Sequence, residues 1–484
     1  MTGTTARPAA DACCPDAGDG PLRVAIVGSG SAAVACALRA AERGAQVTLV
    51  EAGTLGGTCV NTGCVPSKIL IRQAQARHVA GHHPFDGLER RALAVDAHAL
   101  AAQRAARVAE LRQAKYERLL ADDSRIALVR GRARLEDART LRVALTEGGE
   151  TVVRADRILI ATGARPAVPP VPGLEGTPFW TSTEALAAGR VPETLVVLGG
   201  SAVGLELAQA WLRLGSRVTV VETAPRVLPP ADEALSAALR AALEAEGMRI
   251  LTDAAAEQVE HGRGGFRVRV AGAILEAEAL LVATGRRPNT EGLGLERIGV
   301  RTAPDGAIEV DARMRTSVPG VYAAGDCARL PQLVYVAAAA GTVAAEDMTG
   351  NEAALDLAVL PWVVFTDPQA AAVGLTEAEA RGRGIAVATR ELPLAQVPAA
   401  LARFDTRGTI KLVSEAGTGR LLGAHIVAAE AGEVVQAAAL ALRSGMRVQD
   451  LAATLFPYLT MSEGLRLCAQ AFERDVARLS CCAG

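Results

Sequence analysis

Apolar runs, glycine turns and Ala-rich stretches alternate along the chain, and one arrangement of them occurs twice. Residues 23–51, RVAIVGSGSAAVACALRAAERGAQVTLVE, read as an apolar strand, a Gly turn, a helix and a second strand ending in Glu51. Residues 194–222, TLVVLGGSAVGLELAQAWLRLGSRVTVVE, repeat the pattern and end in Glu222. Each acid stands 23 residues after the first glycine of its turn. Such a unit is built to bind a dinucleotide. Two shorter strand-to-turn signals follow the units: ILIATGARP (158–166), with Thr162 and Gly163, and LLVATGRRPN, with Gly285. Next comes VPGVYAAGDCA (318–328), whose Asp326 follows a Gly turn where a carboxylate can accept a cofactor hydroxyl. From about Pro361 the glycine fingerprints stop. GTIKLVS (408–414) and LLGAHIVA (421–428) read as strands, and helical patterns lie near 431–445 and 462–478, which predicts an α+β domain.

At 484 residues the chain exceeds one core and is expected to form roughly two to four domains. A net charge of −2 leaves no Lys/Arg excess for nucleic acid. No apolar run approaches a membrane span; LVYVAAAAGTVAA (333–345) is short and reads as a buried helix. The polar residues 1–20 contain no secretory core and are expected to be disordered, which suggests a cytoplasmic protein. In a reducing compartment, close pairs among the nine cysteines are candidates for redox or metal chemistry: Cys13/Cys14, Cys59/Cys64 and Cys481/Cys482.

In the first turn, Gly28 permits the bend, Gly30 lets backbone N–H groups approach a pyrophosphate, and small Ala33 lets the helix pack on the strand. Glu51 is placed to accept ribose hydroxyls. The second turn reads Gly199, Ser201 and Gly204, with Glu222 as the acid; Ser201 departs from glycine. Between the units lies GGTCVNTGCVPSK (56–68). Cys59 and Cys64 fall at a helix start, where the dipole favours thiolate, and the pair can close a small disulfide and reopen it with two electrons. The alternative is a buried, unreactive pair.

From residue 21 onward, on GGTCVNTGCVPSK and VYAAGDCA, the sequence resembles the pyridine-nucleotide disulfide oxidoreductases. The resemblance implies an α/β fold with two Rossmann-like dinucleotide-binding domains, for FAD and NAD(P), plus a C-terminal α+β dimerisation domain that makes a homodimer. FAD domain segments at 21–170 and 291–360 then flank an NAD(P) domain at 171–290, with dimerisation at 361–478 and a mobile Cys-Cys tail at 479–484. Lys68 joins the cofactor-binding set, Cys64 faces the flavin, and Cys59 is the exchanging thiol. Members that reduce disulfides carry a proton-shuttling His-Pro-Thr backed by Glu. Here FPYLTMSEGL (456–465) keeps Glu463 but places Tyr458 at the histidine position, and a phenol with an ordinary pKa near 10 is a poor shuttle at neutral pH.

Tyr458, the KYE at 115–117 and the terminal LSCCAG are similar to the mercuric-ion-reducing branch of that family. The resemblance implies that Cys481 and Cys482 of one subunit take Hg(II) from solution thiols and pass it to Cys59/Cys64 of the other, with Tyr458 and Tyr116 lining the path. Soft Hg(II) prefers thiolate sulfur, so a second thiol pair allows exchange ligand by ligand instead of trapping. Glu222 would repel a 2′-phosphate, so NADH is expected to serve at least as well as NADPH unless Arg226 or Arg217 outweighs it. Competing readings are a thioredoxin-reductase-like enzyme, which would need the missing His, and a thiol-rich metal buffer with little turnover. Cys13/Cys14 read as idle or metal-capturing, Cys36, Cys327 and Cys468 as packing, and His82/His83 as a surface loop.

Overall fold

The computed structural model describes residues 20–475. Cys13, Cys14, Cys481 and Cys482, and with them the 479–484 tail, lie outside the described residues.

Strand β1 (Arg23–Val27), helix α1 (Ser31–Glu42) and strand β2 (Gln46–Glu51) form the first unit, with β1 and β2 parallel. Helices α2 (Gly57–Thr62) and α3 (Cys64–His82) follow directly. Four of the five β1 residues are buried, the pattern of a central strand covered on both faces. Strands β3 (Ile126–Asp137), β4 (Thr140–Leu145), β5 (Glu150–Arg154) and β6 (Arg157–Ile160) complete most of a seven-stranded sheet, whose order is 321–323, β6, β1, β2, β3, β4, β5. β3 pairs parallel with β2 through Arg130 and then turns antiparallel to β4, a meander that the sequence pattern does not reveal.

The second unit is a four-stranded parallel sheet of 249–251, 217–221, 194–198 and 279–282, beside an antiparallel three-stranded sheet at 256–277. The chain passes between the units through Ala164–Pro166 and Arg286–Pro288, which pair with each other. The last domain is a five-stranded antiparallel sheet with helices Ala431–Arg443 and Glu463–Gln470 packed against it. Two dinucleotide-type α/β units and a C-terminal α+β domain therefore match the expected class.

The 333–345 segment is helix Val334–Met348, and it lies so close to α1 that a Cβ on Gly341 would sit 2.1 Å from the Ala32 oxygen. Its small residues serve this packing. One expectation fails: His82 ends α3 instead of lying in a loop, because the helix runs through Gly81 and His83 N–H donates to the Val79 oxygen. Cys36, Cys327 and Cys468 are buried, as packing residues should be. No helix among the described residues is long and apolar enough to cross a membrane.

Candidate functional site

The first turn admits no side chain. Gly28 has φ +109°, and a Cβ there would lie 2.3 Å from the Ala161 oxygen. Gly30 caps α1 with no side-chain hydrogen bond, which leaves the helix N-terminus to a ligand, and Ala33 is fully buried beneath it. Ser29, unremarkable in the sequence, ties the site together. Its hydroxyl donates to Glu51 Oε2 at 2.6 Å and accepts from Gly56 N–H at 3.2 Å, while Gly53 N–H donates to Glu51 Oε1 at 2.6 Å. The loop leading to the cysteines also docks on this turn: a Cβ on Gly57 would fall 2.6 Å from Gly30 Cα. Nucleotide turn and dithiol loop are one surface.

Across that surface, Thr162 Oγ1 donates to the Asn289 oxygen at 2.7 Å and Asn289 N–H donates to the Gly163 oxygen at 2.9 Å, so the two ATG turns are bonded to each other. Asp326 follows Gly325, and burial raises its carboxyl above the usual range against the pull of Arg286, whose Nε is 3.7 Å away.

Cys59 lies in α2 and Cys64 is the first residue of α3. Gly63 makes the junction; a Cβ there would meet the Thr58 oxygen at 2.9 Å. The Cys64 thiol is lowered to about 7, chiefly by a hydrogen bond from Cys59 and further by the Lys68 ammonium one turn along the helix. Cys59, whose proton is held by Cys64 and which is partly buried, is pushed up. One thiolate and one thiol share a proton near neutral pH. Lys68 is in turn fixed by Glu206 at 2.6 Å and sits 4.4 Å from the Phe365 ring centroid. Glu206 also accepts from Phe365 N–H at 2.9 Å.

Tyr116 lies in a one-turn π-helical segment, Gln113–Glu117, a distortion that often marks a functional position. Its ring carbon is 3.3 Å from where Gly56 would carry a Cβ, and burial raises its phenol while Ser31 hydrogen-bonds it. With Ser31, Lys115 and Tyr335 it borders an open groove of about 380 Å³. Tyr458 stands elsewhere, 48% exposed on the C-terminal domain beside exposed Leu455 and Leu459. Glu463, five residues on, is buried, with Oε2 lacking a hydrogen-bond partner among the described residues.

The second turn repeats the first at its leading glycine. Gly199 has φ +108° and would place a Cβ 2.4 Å from the Ala283 oxygen; a Cβ on Gly204 would strike the Gly199 oxygen. Ser201 caps the helix Ala202–Leu214 without a side-chain bond. Glu222 accepts from Gly200 N–H at 2.7 Å and from Ala224 N–H at 2.8 Å. A cavity of about 570 Å³ opens over these residues, lined by Gly199, Ser201, Glu222, Thr223, Gly285 and Arg286. Arg217, weighed above as a phosphate ligand, begins its strand at the far end from this cavity and pairs with exposed Glu193. Arg226 donates to the Pro229 oxygen and does not line the cavity. The acid lines the cavity; the two arginines do not.

Residues 22–341 match the family described as pyridine nucleotide-disulphide oxidoreductase, and residues 360–469 match its dimerisation domain. The chain belongs to the pyridine nucleotide-disulphide oxidoreductases. Relatives include the mercuric reductase of Acidithiobacillus ferrooxidans, 55% identical over 96% of this chain and 85% of its own, and that of Streptomyces lividans, 45% identical over 95% and 98%. Among solved structures, the Cu(II) complex of the HOCl-induced flavoprotein disulfide reductase RclA from Escherichia coli has a TM-score of 0.85 at 30% identity, covering 94% of this chain and 100% of its own. LpdA from Mycobacterium tuberculosis gives the same TM-score, identity and coverage. Pyridine nucleotide-disulphide oxidoreductases use FAD and a nicotinamide nucleotide. The residues present fit both: each turn has a cradle that a Cβ would fill, an uncapped helix start and an acid at its rim.

Proposed function

We propose that this enzyme is a cytoplasmic, homodimeric mercuric ion reductase, transferring two electrons from NAD(P)H to Hg(II) held by Cys59 and Cys64. The observation that carries the reading is a dithiol poised as one thiolate and one thiol, one turn from the Lys68 ammonium and beside Tyr116, in a chain whose Tyr458 replaces the proton-shuttling His. Relatives at up to 55% identity that bear the name mercuric reductase support it.

In this reading Gly28, Gly30, Ala33, Glu51, Lys68, Thr162, Gly163 and Asp326 hold FAD. Gly199, Ser201, Gly204, Glu222 and Gly285 hold the nicotinamide nucleotide. Bound FAD supplies a two-electron relay between nicotinamide and sulfur. The chain's own part begins with ligand exchange. Cys64, which ionises readily near neutral pH, and Cys59, after losing its proton, replace the thiols that bring Hg(II). Cys481 and Cys482 of the partner chain hand the ion over, and Tyr116 and the partner chain's Tyr458 line the route. Two electrons convert Hg(II) to Hg(0), both thiolates are released, NAD(P)H becomes NAD(P)⁺, and one proton is freed. Hg(0) has lost its affinity for sulfur and leaves. Glu222, its carboxylate fixed at the cavity rim, accepts the 2′- and 3′-hydroxyls of NADH and repels a 2′-phosphate, so NADH serves at least as well as NADPH.

The test is NAD(P)H oxidation by the FAD-loaded protein with Hg(II) in excess small thiol, against oxidised glutathione, lipoamide and thioredoxin. Turnover with Hg(II) alone is expected, and Cys481→Ala/Cys482→Ala should fail as competing thiol rises. Turnover with a disulfide but not Hg(II) would reject the reading.

A further inference from the structure

Helix α3 begins at Cys64, yet much of what fixes it lies at its other end. Lys68 and Gln75 are seven residues apart and His78 three further on, so they share one helix face, and that face is turned toward a buried ionic node. Arg213 and Glu246 form its centre, with side chains 3% and 7% exposed and two bonds between them at 2.6 and 3.0 Å. Arg213 Nη1 also donates to Asp367 Oδ2 at 2.9 Å, and Arg407 reaches Glu246 at 2.7 Å and Asp405 at 2.8 Å. Gln209 exchanges two bonds with the Asp367 backbone, at 2.7 and 2.8 Å. The node thus joins the nicotinamide unit, which contributes Gln209, Arg213 and Glu246, to the C-terminal domain, which contributes Asp367, Asp405 and Arg407.

α3 is the third member. Arg77 Nη1 donates to the Arg213 backbone oxygen at 2.5 Å, and Gln75 Nε2 approaches Asp367 Oδ2 at 3.5 Å. His78 is held neutral, lowered to about 4 by burial and by Arg213. Near the start of the helix, Lys68 meets Glu206 of the same nicotinamide-unit helix, and Glu206 is locked by Phe365 N–H of the C-terminal domain. The dithiol helix is therefore gripped at both ends by the same two bodies.

We propose that the Arg213 node is a positioning device for the dithiol: by anchoring α3 at Arg77 and Gln75, about 20 Å along the helix axis from Cys64, it holds Cys64 in register with Lys68 and Cys59. Arg77, Gln75 and Arg213 are positioning residues, since none touches sulfur. The consequence is a shift in redox balance. Lys68 lies one turn from Cys64 on the anchored helix, where its ammonium favours the anion-bearing reduced pair over the neutral disulfide, so loosening the helix favours the disulfide. This inference rests on reading Cys59/Cys64 as a redox pair.

The experiment equilibrates FAD-loaded protein in dithiothreitol redox buffers and counts free Cys59 and Cys64 by alkylation and mass spectrometry, with thermal unfolding in parallel. Arg77→Met leaves the ion pairs of the node intact; Arg213→Lys keeps the charge and loses the fork. Both are expected to move the reduced-to-oxidised ratio about tenfold toward disulfide, equivalent to about 30 mV, and Arg217→Met, a surface control, should not move it. Arg77→Met titrating within about twofold of wild type, whether or not its unfolding temperature falls, would overturn the proposal and leave the node purely structural. Absence of a Cys59–Cys64 disulfide in the oxidised wild-type protein would instead reject the redox reading itself.

Discussion

The two dinucleotide units carry similar fingerprints and put them to different uses. In the first, Glu51 is bound by Ser29, Ser29 is bound by Gly56, and Gly57 lies against Gly30, so the turn is fused to the loop that carries Cys59 and Cys64. In the second, Glu222 is held by the backbone N–H groups of Gly200 and Ala224 and by Thr223, and an open cavity of about 570 Å³ stands over it. A repeated turn chooses where a dinucleotide docks. What is packed against the turn decides whether the site does chemistry or admits and releases a substrate.

The sharpest way to separate the units is to fill each cradle. Gly28→Val collides with Ala161 and Gly199→Val with Ala283, at nearly equal depth. The first should lose FAD content and soluble yield; the second should keep its flavin spectrum while NAD(P)H-dependent turnover falls at least about 100-fold, because misplacement near 1 Å costs that much. Retention of normal turnover by Gly199→Val would remove the second unit from the mechanism. A smaller effect is expected from Glu222→Gln, which keeps the shape and removes the charge. The ratio of kcat/KM for NADPH to that for NADH should rise about tenfold, and an unchanged ratio would mean that Glu222 does not face the ribose.

The smallest effect concerns the first unit's chemistry. Cys64 sits at about 7 partly because Lys68 favours its thiolate. Removing the cation disfavours the charged form, so Lys68→Gln should raise the midpoint of Cys64 alkylation by about half to one pH unit and slow alkylation at pH 7. A midpoint that stays or falls would assign the lowering to Cys59 and the helix start alone.

The parts of this site that were legible in the sequence are those fixed by local spacing. The Gly28 and Gly199 turns need a positive φ and close backbone approach, which only glycine allows, and the Cys59–Cys64 interval spans only the end of α2, Gly63 and the start of α3. Contacts across long separations left no such mark. Ser29 occupies a position that the fingerprint leaves variable, yet it bridges Glu51 and Gly56. Nothing in the sequence around Glu206 points to its partners, Lys68 and Phe365 N–H, 138 and 159 residues away. The π-helical turn that sets Tyr116 against Gly56 depends on tertiary packing, and no periodicity predicts it. His82 falls outside the loop that Gly81 and Pro84 suggest because the helix runs through Gly81 and ends at His82, two residues short of Pro84.

The most direct measurement of the central claim is the yield of mercury vapour per nicotinamide oxidised, made with FAD-loaded protein, NADH or NADPH, excess thiol and Hg(II), for wild type and for Cys64→Ala. The account predicts one Hg(0) for each NAD(P)H consumed by the wild type and none from the variant. Vapour from Cys64→Ala at the wild-type rate, or NAD(P)H consumption without vapour, would contradict it.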